Sequence, residues 1–84
     1  MYAVRFRSKA LKDLKKLPTD TQSRILHKLD YFANSTMPLS FAHRLKDTSL
    51  GNYRFRAGDY RIIFDLIEGT IVVTTVGHRR EIYQ

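Results

Sequence analysis

A change of hydrophobic period near the middle of the chain constrains this fold more than any other feature. Between residues 8 and 34 the apolar side chains recur at helical spacing, and from residue 52 onward they alternate. In the first stretch Ala10, Leu11, Leu14 and Leu17 line one helix face, with Ser8 placed to cap it and Pro18 to stop it. Thr19 and Gln22 stand at capping-box spacing for a second helix. Its stripe is Gln22, Ile25, Leu26, Leu29, Phe32 and Ala33, and it ends near Asn34. Helices joined by so short a link form an antiparallel hairpin.

In the second stretch residues 52–57, 60–66 and 70–76 read as strands, separated by the turn signals Gly58-Asp59 and Glu68-Gly69. Tyr2-Ala3-Val4-Arg5-Phe6 is a further short strand with Tyr2, Val4 and Phe6 on one side, and residues 42–50 read as a loop. The expected fold is therefore α+β in the order β-α-α-β-β-β. An antiparallel sheet carries the helical hairpin on one face, with the first strand at an edge. No linker, repeat or low-complexity tract divides the 84 residues, so residues 1–84 form a single domain.

Composition narrows the function classes. At 43% hydrophobic and 27% charged residues the chain is globular rather than disordered. It has no cysteine, so disulfide frameworks and thiolate metal sites are excluded. Apolar runs such as Ile62-Ile63-Phe64 are too short to span a membrane, and residues 1–16 carry charges throughout, unlike a signal peptide. A cytoplasmic protein is expected. The histidines at 27, 43 and 78 lack ligand spacing, so neither a metal nor another cofactor is expected. His27 lies off the helix stripe and reads as a surface residue. The glycines at 51, 58, 69 and 77 form no phosphate-binding loop.

The net charge is +7, which points to nucleic acid or an acidic protein partner. Lys9, Lys12, Lys15 and Lys16, with Arg24 and Lys28, either form solvated helix faces or dock on a phosphate-rich surface. Beyond residue 46 every basic residue is an arginine: Arg54, Arg56, Arg61, Arg79 and Arg80. Arginine suits bidentate phosphate contacts. If Gly58-Asp59 is a two-residue turn, Arg56 faces Arg61, and Arg54, Arg56, Arg61, Ile63 and Asp65 share the face away from the helices. A two-residue turn at Glu68-Gly69 would add Val72, Thr74 and Val76 to that face. Opposed like charges destabilise a strand pair, and Asp65 stands about 13 Å along the strand from Arg61. An external anion resolves the conflict. The ending Val76-Gly77-His78-Arg79-Arg80-Glu81-Ile82-Tyr83 leaves its strand beside this pair, adding an imidazole, a carboxylate and a phenol. Such an inventory suits phosphoryl chemistry: arginines stabilise charge, and a group that titrates moves protons. Histidine titrates nearest neutral pH, which makes His78 the candidate for that role.

Tyr53-Arg54-Phe55-Arg56, Gly58-Asp59-Tyr60-Arg61-Ile62-Ile63-Phe64 and the ending from Val76 to Tyr83 resemble the RelE family of the RelE/ParE toxins. These are toxins of type II toxin–antitoxin pairs. The resemblance covers essentially the whole chain and is strongest in the hairpin and the ending. It implies a toxin that enters the ribosomal A site and cleaves mRNA without a metal. The 2′-hydroxyl attacks in line, leaving a 2′,3′-cyclic phosphate and a 5′-hydroxyl. By the same resemblance Arg54 and Arg56 stand where well-studied members have lysines, Arg61 and Arg79 match arginines at the scissile phosphate, and Tyr83 matches a tyrosine that stacks on a base. His78 lies where some relatives keep a lysine and others have a catalytic histidine close by. The sequence ends at Gln84, without the additional C-terminal helix of some members. Arg80 joins the basic helix residues as an RNA contact. The implied partners are a cognate antitoxin, mRNA in the A site and ribosomal RNA, with a monomeric toxin inside a toxin–antitoxin hetero-oligomer. Two alternatives stay open: a ParE-like inhibitor of DNA gyrase, and an inactive module that only binds RNA or antitoxin.

Overall fold

A computed structural model describes residues 2–82. The elements are β1 (Ala3–Phe6), α1 (Ser8–Lys15), α2 (Thr19–Asn34), a 3₁₀ turn (Pro38–Phe41), β2 (His43–Arg44), β3 (Tyr53–Ala57), β4 (Tyr60–Ile67), β5 (Thr70–His78) and α3 (Arg79–Ile82). They form one five-stranded sheet in the order β1-β5-β4-β3-β2. The α+β fold with a helical hairpin on one face and the first strand at an edge is as expected. The 3₁₀ turn, β2 and α3 are additions to it.

Both hairpin turns have the expected two residues. Gly58 takes φ 61 in the first, and Glu68 and Gly69 take φ 47 and 75 in the second, the positive-φ patterns that match strand twist. Ala57 thus faces Tyr60, Arg56 faces Arg61 and Phe55 faces Ile62. The first strand departs from the antiparallel expectation: β1 runs parallel to β5, with Val4 opposite Ile71 and Phe6 opposite Val73. Alternation tells which side of a strand is apolar but not which way it runs. Here the parallel course delivers the chain to the open part of the β5 edge, which α1 then covers. The Arg7 N–H donates to the Val73 carbonyl at 2.9 Å, and the Val76 N–H donates to Asp13 Oδ2 of α1 at 3.1 Å.

A second correction concerns Val76. Ile63 pairs with Thr75 and Phe64 with Val73, so Thr74 is the extra residue of a β-bulge. The extra residue shifts the alternation, and Val76 joins the helix-side core, while Val72 and Thr74 stay on the far face. The core comprises Ala10 and Leu14 of α1, Ile25, Leu29, Phe32 and Ala33 of α2, and Phe55, Ala57, Ile62, Phe64, Ile71, Val73 and Val76 from the sheet. Phe32, Phe55 and Phe64 form a continuous aromatic stack, with centroids 4.4 and 4.2 Å apart.

The helix starts also differ in detail. Ser8 is the first residue of α1 rather than its cap, a position taken by Arg7 in extended geometry. Likewise α2 begins at Thr19 after Pro18, and no capping box forms because the Gln22 amide donates instead to the Leu17 carbonyl at 2.8 Å. Leu11 and Leu26, expected on the buried stripes, are 40% and 45% exposed.

Candidate functional site

Directly opposite residues in a sheet present their side chains on one face, so register alone assigns the members of the face away from the helices. One row runs His43, Arg54, Ile63, Thr75; the next runs Arg56, Arg61, Gly77. A third, further along, is Arg5, Val72, Asp65. The arginines at 54, 56 and 61 therefore share a face, and Arg56 and Arg61 are opposed.

The face is not an open arginine surface. Residues 45–52 cross it and α3 lies against it. Gly51 sits at φ 156, where an added Cβ would stand 2.7 Å from Ile63 Cγ2, so only glycine lets the loop approach this closely. The Thr74 hydroxyl bonds the Leu50 and Ile63 carbonyls, and the Asn52 N–H donates to Asp65 Oδ1 at 2.9 Å. Asp65 is thus committed to the loop and does not neutralise Arg61. Asp47, in the same loop, is occupied likewise. The Ser49 N–H donates to its carboxylate at 3.0 Å and, with the Ser49 hydroxyl, holds its pKa below the usual range. Ile82 packs where a Gly77 side chain would be, 3.2 Å from an added Cβ. Leu45, Leu50, Ile63 and Ile82 line a cleft of about 280 Å³ between loop and α3.

Coverage divides the arginines. Arg56 is exposed and Arg54 half-buried, whereas Arg61 is 6% exposed. One Arg61 guanidinium nitrogen donates to the Gly58 and Tyr60 carbonyls at 2.8 and 3.0 Å, while the buried Nε has no hydrogen-bond partner. A buried cation with an unsatisfied donor beside a like charge is a costly arrangement unless an anion completes it. Arg79 lies at the same end of the sheet. Its N–H donates to the Asp59 carbonyl at 2.8 Å, and its Nε lies 3.8 Å from Asp59 Oδ1. That ion pair is exposed and loose, so it contributes little to stability and ties the guanidinium down only weakly. Arg80 is exposed on α3.

His78 does not join the arginine pair. It faces Tyr60, one residue off the Arg61 row, and meets that ring edge-on at 5.5 Å on the helix side of the sheet. Its Nδ1 accepts the Arg80 N–H at 3.2 Å, which fixes the start of α3. Tyr83 lies outside the described residues. Lys9, Lys12, Lys15 and Lys16 are all exposed on or next to α1, with Lys9 paired to Asp13 at 2.8 Å. Among the described residues no group of three or more His, Asp or Glu side chains is placed to hold a metal ion, and no helix is long and apolar enough to cross a membrane.

The structure adds Arg5 and His43 to the face. Arg5 was legible, because Tyr2, Val4 and Phe6 point to the core and leave it on the other side. For His43 there is no sequence signal, since a two-residue strand has no period.

Comparison with known proteins agrees with this architecture. The family described as ParE toxin of the type II toxin–antitoxin system parDE matches residues 4–83. Toxin RelG of Mycobacterium tuberculosis is 34% identical over 88 residues, covering 99% of this chain and 97% of RelG. A chain of the RelBE2 toxin–antitoxin complex of M. tuberculosis superposes with a TM-score of 0.76 at 30% identity, covering 93% of this chain and 91% of the other. A chain of the Methanococcus jannaschii RelB–RelE antitoxin–toxin complex does so with 0.68 at 31% identity, covering 94% of each.

Proposed function

Because the chain belongs to the RelE/ParE superfamily of type II toxins, we propose that it is a ribosome-dependent mRNA endoribonuclease that cleaves in the A site by metal-free 2′-hydroxyl attack. The observation that carries the reading is the Arg56–Arg61 pair, with Arg61 buried and its Nε unsatisfied. A phosphate oxygen held at this pair relieves the repulsion between the two cations.

In this reading Arg56, Arg61 and Arg79 stabilise the charge that builds on the phosphoryl oxygens, where prearranged donors contribute most. Arg54 and Arg80 hold neighbouring RNA, and Tyr83 stacks on a base. His78 sets α3, and so Arg79 and Arg80, in place. The lysines at 9, 12, 15 and 16 dock on ribosomal RNA. The toxin acts in the cytoplasm, as a monomer released from a complex with its antitoxin. The +7 charge favours an acidic antitoxin segment that folds as it binds, and solved relatives are toxin–antitoxin complexes.

Purified ribosomes carrying mRNA test the reading. Wild-type protein cleaves in the A site, and Arg61→Ala or Arg79→Ala lowers single-turnover cleavage by about 10²–10³-fold while antitoxin binding persists. Full cleavage by both variants would remove catalysis from this face. The ParE family match supports a second reading, inhibition of DNA gyrase. Loss of supercoiling activity in a gyrase assay, without mRNA cleavage, selects it.

A further inference from the structure

We infer that His43 is the proton-moving residue of the arginine face, taking the 2′-hydroxyl proton of RNA bound across Arg54, Arg56 and Arg61. The inference rests on the cleavage reading above and supplies what that reading lacks. Guanidinium groups stay protonated at physiological pH, so the arginines stabilise charge but do not accept a proton. Attack by a 2′-hydroxyl needs a base. The tail histidine, His78, stands on the helix side of the sheet against Tyr60.

Register brings a different imidazole to the face. His43 lies directly opposite Arg54, so their Cα atoms are about 5 Å apart. It is diagonal to Arg56, at about 7–8 Å. A phosphate held by Arg56 is within reach of a side chain so placed. His43 is exposed, and no hydrogen bond or ion pair among the described residues occupies its ring. Two carboxylates near this face are already engaged, Asp65 by the Asn52 N–H and Asp47 by the Ser49 N–H, and Glu81 is carried on α3 at the end of β5 rather than beside β2. Among the described residues, the charged groups that register places beside His43 are Arg54, opposite it, and Arg56, diagonal to it, while Lys46 and Asp47 follow β2 in the chain. Arg44, opposite Tyr53, belongs to the other face.

The step balances without a co-reactant. The neutral imidazole takes the proton from O2′, the O2′–P bond forms and the P–O5′ bond breaks. The proton taken from O2′ reaches O5′ through solvent, giving the cyclic phosphate and the 5′-hydroxyl. No electron is transferred.

The test is single-turnover cleavage on programmed ribosomes between about pH 5 and 8, for wild type, His43→Gln and His78→Gln. A neutral base loses activity as it protonates, so the wild-type rate falls toward the acid side. His43→Gln lowers the rate at least about tenfold and abolishes that acid limb, with thermal stability and antitoxin binding unchanged. Added imidazole restores part of the rate to His43→Ala. His78→Gln, which loosens α3, lowers the rate but keeps the acid limb. Cleavage by His43→Gln at the wild-type rate, or with the acid limb intact, overturns the inference while leaving the cleavage reading standing. A wild-type chain that cleaves no mRNA on the ribosome overturns both.

Discussion

On the helix side of the sheet Phe55, Ile62, Phe64, Ile71 and Val73 are withdrawn from water completely, under two helices. One residue along the same strands, Arg54, Arg56 and Arg61 point to a face roofed only by a loop and a one-turn helix. The two faces are a single residue step apart, yet they answer to different forces. The helix side gains from removing apolar area, at roughly 25 cal/mol per Å², and each of its residues is interchangeable in chemistry but not in volume. The arginine side opposes two cations and leaves a buried guanidinium nitrogen without a partner, so it sacrifices stability to hold charge where an anion can meet it. What the difference teaches is that one face holds the strands together while the other is left to carry charge.

Adjacent residues of β3 give the sharpest test of that division. Phe55→Ala leaves a cavity between Phe32 and Phe64 and costs about 3–5 kcal/mol, enough to unfold much of a domain this small. Arg56→Ala, one position on, leaves stability unchanged or raises it by up to about 1 kcal/mol, because a like-charge pair disappears. Urea unfolding of the two variants reads the contrast directly. Equal destabilisation by both would erase the distinction between the faces.

The roof is the next place to press. Gly51→Ala forces a side chain into Ile63 at a backbone angle that L-residues rarely adopt, and costs about 1–3 kcal/mol. The loss falls on the loop, so hydrogen exchange at the Asn52 N–H speeds up more than at the helix-side core. A uniform change across the molecule would show that the loop is part of the core after all.

The smallest effect probes the seam where α1 meets β5. Asp13→Ala leaves the Val76 N–H without its acceptor and costs about 1–2 kcal/mol, whereas Asp13→Asn keeps a side-chain oxygen there and costs less. Protection of the Val76 amide in exchange experiments ranks wild type, Asp13→Asn and Asp13→Ala in that order. Loss of this bond lies three residues before Arg79, so cleavage falls with it if the end of β5 positions the tail.

Much of this molecule was legible in the chain itself, and for a local reason. Helical spacing at residues 10–17 and 22–33, and two turns whose glycines adopt positive φ, depend on neighbours a few residues away. Once Gly58-Asp59 is a two-residue turn, the Arg56–Arg61 pairing follows from the period of two, with no knowledge of the rest of the fold. Tertiary structure decided everything that depends on distant segments. The direction of β1 is set by where α1 must lie. The bulge at Thr74, which turns Val76 inward, accompanies the bonds its hydroxyl makes to Leu50 and Ile63. Burial of Arg61 comes from packing around the hairpin turn and α3, and the place of His43 comes from a strand of two residues. A period needs several residues to be seen, and a contact across the sheet leaves no trace in the spacing of either partner. That is why the arginines of this face could be read from the sequence, and the imidazole beside them could not.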